Sequence, residues 1–220
     1  MATRNTKALI YGIFATDTLT KIEDNEPLDI LREICRNIRT TNSLQYVTLK
    51  NYLESKKEYV DFDPDDGSIL VYISPLVFMS IFNERVVAKE RVLKMIVWIT
   101  HNREETFGVV KEYLGLLHDI FYNQITKEQI LEILPELDIL EDDVVVTKNV
   151  KDVFFAALWC MIMSDSYEQA CRKATALKNS NDMLVEVTGA LSGLYYGLES
   201  IPTSWIIPAE EKFNLKEIIF

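Results

Sequence analysis

The chain has 220 residues, 48% of them hydrophobic, which allows one large domain or two small ones with a substantial core. Its 23 Lys plus Arg against 34 Asp plus Glu leave a formal charge of −11, a field that repels polyanions and excludes sequence-independent nucleic-acid binding. Only 7 glycines occur, and neither G-x-G-x-x-G nor G-x-x-x-x-G-K-[ST] is present, so glycine loops that cradle nucleotide phosphates are excluded as well.

The apolar stretch after Lys7 is broken by Thr16, Asp17, Thr18 and Lys21, too soon for a secretory leader. Leu28, Leu31, Ile34, Cys35 and Ile38 keep helical spacing behind Pro27, which predicts an amphipathic helix over 27–40. Leu44, Val47, Tyr52 and Leu53 suggest a shorter helix, and 54–66, with four aspartates and Pro64, has no period and is expected as an exposed loop. Ile69, Ile73, Leu76, Val77 and Ile81 restore the helical period from Ser68, with Pro75 bending that helix or starting a new one and a strand as the competing reading. Segments 86–100 and 104–122 carry apolar residues at helical periods and are expected to pair antiparallel. Thr126 with Gln129, and Ser166 with Gln169, fit the capping box in which hydroxyl and amide satisfy each other's backbone N–H. Leu140 to Val146 is the one plausible strand.

The last third holds three further helices, marked by Phe154, Ala157, Leu158 and Met161, by Ala170, Ala174 and Leu177, and by Leu184, Val187, Leu191 and Leu194. In the last of these Gly189, Gly193 and Gly197 lie four apart, a flat ridge that lets another backbone approach, and Gly197 is placed to end the helix. No window approaches the roughly 18 uncharged apolar residues of a membrane span. Cys35, Cys160 and Cys171, without C-x-x-C spacing, suit a reducing compartment. A soluble, cytoplasmic protein that engages no membrane is expected. With no linker, low-complexity tract or repeat, residues 1–220 are expected to form one compact all-α domain.

Other site chemistry finds little support. Two histidines, His101 and His118, offer no zinc spacing, no G-x-S-x-G elbow occurs, and the acidic loop from Asp61 lacks the terminal Glu of a calcium-binding hand, since Tyr72 stands there.

The runs Ala157-Leu158-Trp159-Cys160, Ser164-Asp165-Ser166-Tyr167-Glu168-Gln169-Ala170, Ala176-Leu177 and Thr188-Gly189-Ala190-Leu191-Ser192-Gly193-Leu194-Tyr195-Tyr196-Gly197 resemble, in order and spacing, the C-terminal part of the ADP-ribosylglycohydrolase family. Asp66-Gly67-Ser68 with Ser74-Pro75 is similar to that family's N-G-S…(S/A)-P segment, and Thr100-His101-Asn102 to its T-H-N segment. The opening Gly12 to Leu19 is similar to its G-x-x-x-G-D-A-L start. The resemblance implies a nearly all-helical domain with a dinuclear magnesium centre that cleaves ADP-ribose from modified side chains or small molecules. It places Asp17, Ser68, His101 and Asn102 on ligand-binding segments.

The same resemblance implies two metal-binding clusters, T-D-D-T near the N-terminus and G-G-D-T-D-T before the T-G-A helix. The second falls on Lys178-Asn179-Ser180-Asn181-Asp182-Met183, so Ser180 replaces one aspartate, Met183 offers only a soft thioether, and Asp182 alone survives as a carboxylate ligand. No D-D-T precedes Pro27; Asp24 and Glu26 are the nearest acids that could reach a cation, or else solvated residues that complement a helix dipole. The residual metal ligands are therefore Asp24, Glu26 and Asp182, no catalytic residue is assigned, and no cofactor is expected unless the site is functional, when it would be Mg²⁺. Asp17 and His101 are expected as structural hydrogen-bonding residues.

Three functions follow in order of support. The first is a catalytically silent relative, a pseudoenzyme that binds a protein partner or an ADP-ribose-like ligand. The second is an active ADP-ribosyl hydrolase with a reduced divalent-metal site. The third is an acidic interaction or inhibitor protein whose charge mimics a polyanion.

Overall fold

The computed structural model describes residues 2–20, 26–41, 63, 65–78, 97, 100–101 and 103–218. The short helix expected at 44–53, most of the loop 54–66 and nearly all of 86–100, with its antiparallel pairing, lie outside the described residues. What is described is largely helical, and all but α1, α2 and α10 stand where helical periods or capping signals predict them: α1 (Ala2–Phe14), α2 (Asp17–Thr20), α3 (Glu26–Thr41), α4 (Ser68–Ile73), α5 (Glu104–His118), α6 (Lys127–Ile133), α7 (Val150–Ile162), α8 (Tyr167–Ala176), α9 (Asp182–Tyr196) and α10 (Thr203–Phe213). None is long and apolar enough to cross a membrane.

The helix α9 occupies the centre because it has no solvated face. Every residue from Met183 to Leu194 is buried, and α1, α7 and α8 pack around it. One side carries the expected Leu184, Val187, Leu191 and Leu194. On another, Gly189 and Gly193 meet α1 backbone to backbone: a Cβ added at Gly193 would lie 2.4 Å from the Ala8 carbonyl oxygen, and one at Gly189 2.2 Å from that of Gly12. The ridge is therefore two glycines long. Gly197 stands outside it, at φ 86, as the residue that ends the helix, and its backbone N–H donates to the Gly193 carbonyl.

Buried hydroxyls tie elements of this core together. Tyr167 donates its hydroxyl to the Gly12 carbonyl at 2.7 Å, tying α8 to α1, and its ring lies 5.8 Å from that of Trp205. Pro75, which lacks an N–H, interrupts the helix after Ile73, and Ser74 there bonds the Leu70 carbonyl at 2.6 Å and the Tyr113 hydroxyl at 2.7 Å. Helix wins over strand at 68–78.

Local signals hold with two differences. Thr126 and Gln129 form the complete capping box at the start of α6. At α8 only half of it forms: Ser166 accepts from the Gln169 N–H, but the Gln169 side chain accepts from Asp165 N–H at 2.6 Å, one residue earlier than the box requires. Leu140 to Val146 is not a strand. A 3₁₀ turn, Glu141–Asp143, opens it, and no ladder partner runs beside it; the described residues contain only the isolated bridge Asp66–Asn149. Three consecutive acids favour that turn over a β-rich extension.

Candidate functional site

Two of the residues singled out in the sequence are drawn toward one region by the packing of α1 against α9. Asp17 opens α2 directly after α1 ends at Phe14, and Asp182 opens α9. The negative charge of Asp17 acts on Asp182: burial, with this repulsion, raises the Asp182 carboxyl above the usual aspartate range, and Lys148 pulls it partly back.

The carboxylate of Asp17 is already occupied. Lys212 Nζ, in the last turn of α10, lies 3.0 Å from its Oδ1 and 2.9 Å from its Oδ2. The Asp17 side chain is only 12% exposed, so this ammonium supplies the charge compensation that an enclosed carboxylate requires. The hydrogen-bonding partner of Asp17 in this structure is thus a lysine.

The cap of α9 is committed as well. Asn181 accepts from the Leu184 N–H at 2.9 Å and donates its amide to the Thr147 carbonyl at 2.9 Å, pinning the 147–149 segment to the helix start. Asn179 stands at φ 62, the left-handed region that favours glycine and, next, asparagine. In the turn that leads into α9, Met183 is buried in the core, and Ser180 uses its backbone N–H on the Leu177 carbonyl.

The remaining candidates do not join this pair through any described hydrogen bond. Ser68 is 9% exposed at the start of α4, its N–H bonded to Asp66 Oδ1 at 2.9 Å. The loop before it is held by Gly67 N–H on the Lys148 carbonyl at 2.8 Å and Val150 N–H on the Asp65 carbonyl at 2.7 Å, and Asp65 pairs with Arg103 and with Thr106. His101 is exposed in a turn at φ 49 beside the buried Thr100. Asn102 and Asp24 lie outside the described residues, as does the side chain of Glu26, whose backbone starts α3.

Three residues here escape sequence reading. Lys212 is 195 positions from Asp17 and Lys148 is 34 from Asp182, separations at which no local spacing can signal a pair. Glu186, fully buried one turn beyond Asp182, sits among apolar periods that draw attention to its neighbours instead.

Among the described residues no group of three or more His, Cys, Asp or Glu side chains could hold a metal ion. The described donors do not fit a dinuclear magnesium centre, which wants several carboxylates around octahedral cations: one acid is taken by a lysine, and the other faces Lys148.

Asp182→Asn supplies a test of this electrostatic picture. Because the folded-state pKa is raised, the ionised carboxylate costs stability, and the cost grows as pH rises from the ordinary aspartate range through the raised value. The variant should gain stability relative to the parent over that window and not below it. The gain is small, since a half-exposed carboxylate is screened by water. Urea titrations across the acid range read the difference directly.

Comparison with known proteins agrees with the helical scaffold. A family model described as ADP-ribosylglycohydrolase matches residues 76–219. A solved structure described as an ADP-ribosylglycohydrolase-related protein complex superimposes with a TM-score of 0.56 at 21% identity, covering 95% of this chain and 78% of that one. At that identity the likeness concerns the fold. No curated protein matches the chain.

Proposed function

Because this chain belongs to the ADP-ribosylglycohydrolase family, we propose that it is a catalytically silent member, which keeps the scaffold and works by binding a protein partner or an ADP-ribose-like ligand. The observation that supports this reading is that Asp182, the one expected metal ligand whose side chain the structure describes, has Asp17 as an acidic neighbour, and the Lys212 ammonium sits at both oxygens of that second carboxylate. A divalent cation there would have to displace that lysine and leave its charge unneutralised. Asp182, left beside Lys148 with Ser180 and Met183 as neighbours, adds at most one carboxylate. The fold survives such losses because its stability resides in the α1–α9 contact and the apolar core rather than in metal ligands.

Millimolar Mg²⁺ or Mn²⁺ is expected to leave the melting temperature nearly unchanged. A specific site would stabilise the folded state by RT ln(1 + [L]/Kd), about 2.7 kcal/mol at a hundredfold excess over Kd. Calorimetry that finds micromolar binding, lost in Asp182→Ala, would instead support a hydrolase with a reduced site built from Asp24, Glu26 and Asp182.

A further inference from the structure

We propose that the cleft between the 134–147 segment and α7 docks a short, basic, amphipathic segment of another protein. The cleft has a volume of about 350 Å³, and Leu137, Val144, Phe155 and Trp159 form its apolar wall. Of the large apolar side chains that the fold leaves in water, Val145, 62% exposed, and Ile139, 38% exposed, line it, and Leu140, 76% exposed, follows Ile139 in the chain. Scattered singly they would need no explanation, but here three stand within seven residues of sequence and two of them line one cleft.

The segment that presents them is held firmly. Leu137 and Val146 are buried anchors at either end, Trp159 Nε1 donates to the Ile139 carbonyl at 3.2 Å between them, and Thr147 is fixed by its hydroxyl on Asp152 and its carbonyl on Asn181. A preorganised surface loses little ordering entropy on binding.

Charge decides the occupant. Residues 132–143 contain six carboxylates and no lysine or arginine. In the cleft itself Glu136, Asp143 and Asp152 oppose the single Lys151, and Glu141 reaches Lys173 only at 3.6 Å. A second copy of the chain would set this acidic rim against another on a molecule of charge −11, and an anionic membrane or nucleic acid would be repelled in the same way. The complementary partner is a protein segment with Leu- or Phe-type anchors for the cleft and Lys or Arg on either side for the rim. This surface uses neither Asp17 nor Asp182, so it stands whether or not the chain turns over a substrate.

The test titrates the full chain with a labelled Leu/Lys amphipathic peptide of about 15 residues and with its Leu/Glu counterpart, read by fluorescence anisotropy. The expected result is saturable binding of the Lys peptide only, weakened about tenfold or more by Leu140→Asp with Val145→Asp and by raising salt from about 50 to about 500 mM. Ile207→Asp, at a half-exposed apolar position on α10, should leave it unchanged. Should the apolar pair of changes disturb the fold by circular dichroism, Glu141→Lys with Asp142→Lys, both at exposed positions, must give the same loss. The proposal is overturned by absence of binding, by equal binding of the Leu/Glu peptide, by equal weakening from Ile207→Asp, or by a dimer that the Leu140/Val145 variant abolishes.

Discussion

Gly193→Leu is expected to lower stability by about 1–3 kcal/mol or more, the cost of overpacking a contact that cannot open without moving two helices. The first atom of the new side chain would meet the Ala8 carbonyl oxygen at 2.4 Å and the Gly12 Cα at 2.9 Å, both backbone, so no rotamer relieves the clash. Gly108 and Gly115 supply the control. Both lie within α5 with nothing inside 4 Å of an added Cβ, so Gly108→Ala and Gly115→Ala should each raise stability by about 0.5–1 kcal/mol through reduced backbone entropy of the unfolded chain. Urea denaturation of the three variants distinguishes a packing role from helix propensity, because one substitution class changes sign with position. A Gly193→Leu protein as stable as the parent would remove α9 from the centre of the fold.

Phe14→Ala should cost about 3–5 kcal/mol, the range for emptying an aromatic site in a core that relaxes only partly. Phe14 is fully buried, and its ring centroid stands 4.9 Å from that of Phe213 at the end of α10. Loss of that contact does more than open a cavity. Lys212 precedes Phe213, so the ring pair also sets the position from which the ammonium reaches Asp17. The variant should therefore show earlier proteolysis within 203–217 than in the rest of the chain, in addition to its lower melting temperature. Uniform loss of protection would separate Phe14 from the placement of α10.

The elements of this fold that lie close in sequence are legible from it. The α3 period, the Thr126 box, the break at Pro75 and the end of α9 at Gly197 each rest on contacts within a few residues, and each stands where spacing places it. The ridge at Gly189 and Gly193 is also visible, although nothing in the sequence says that α1 is what packs there. The strand expected at 140–146 fails for a related reason, since a strand needs a distant partner and β-rich composition supplies none. In the site, the lysine that compensates Asp17 comes from a helix at the opposite end of the chain. Charge pairs closed by tertiary packing leave no periodic trace.

The central claim is chemical silence, and release of ADP-ribose measures it most directly. The unmodified protein, with Mg²⁺ present, should free no ADP-ribose above background from modified arginine, modified serine or small-molecule conjugates. Ser180→Asp with Met183→Thr should do no better, because the N-terminal D-D-T is absent as well and Lys212 still holds Asp17. Release from any of these substrates that disappears in Asp24→Ala, Glu26→Ala or Asp182→Ala would contradict the account and establish a working reduced-site hydrolase in its place.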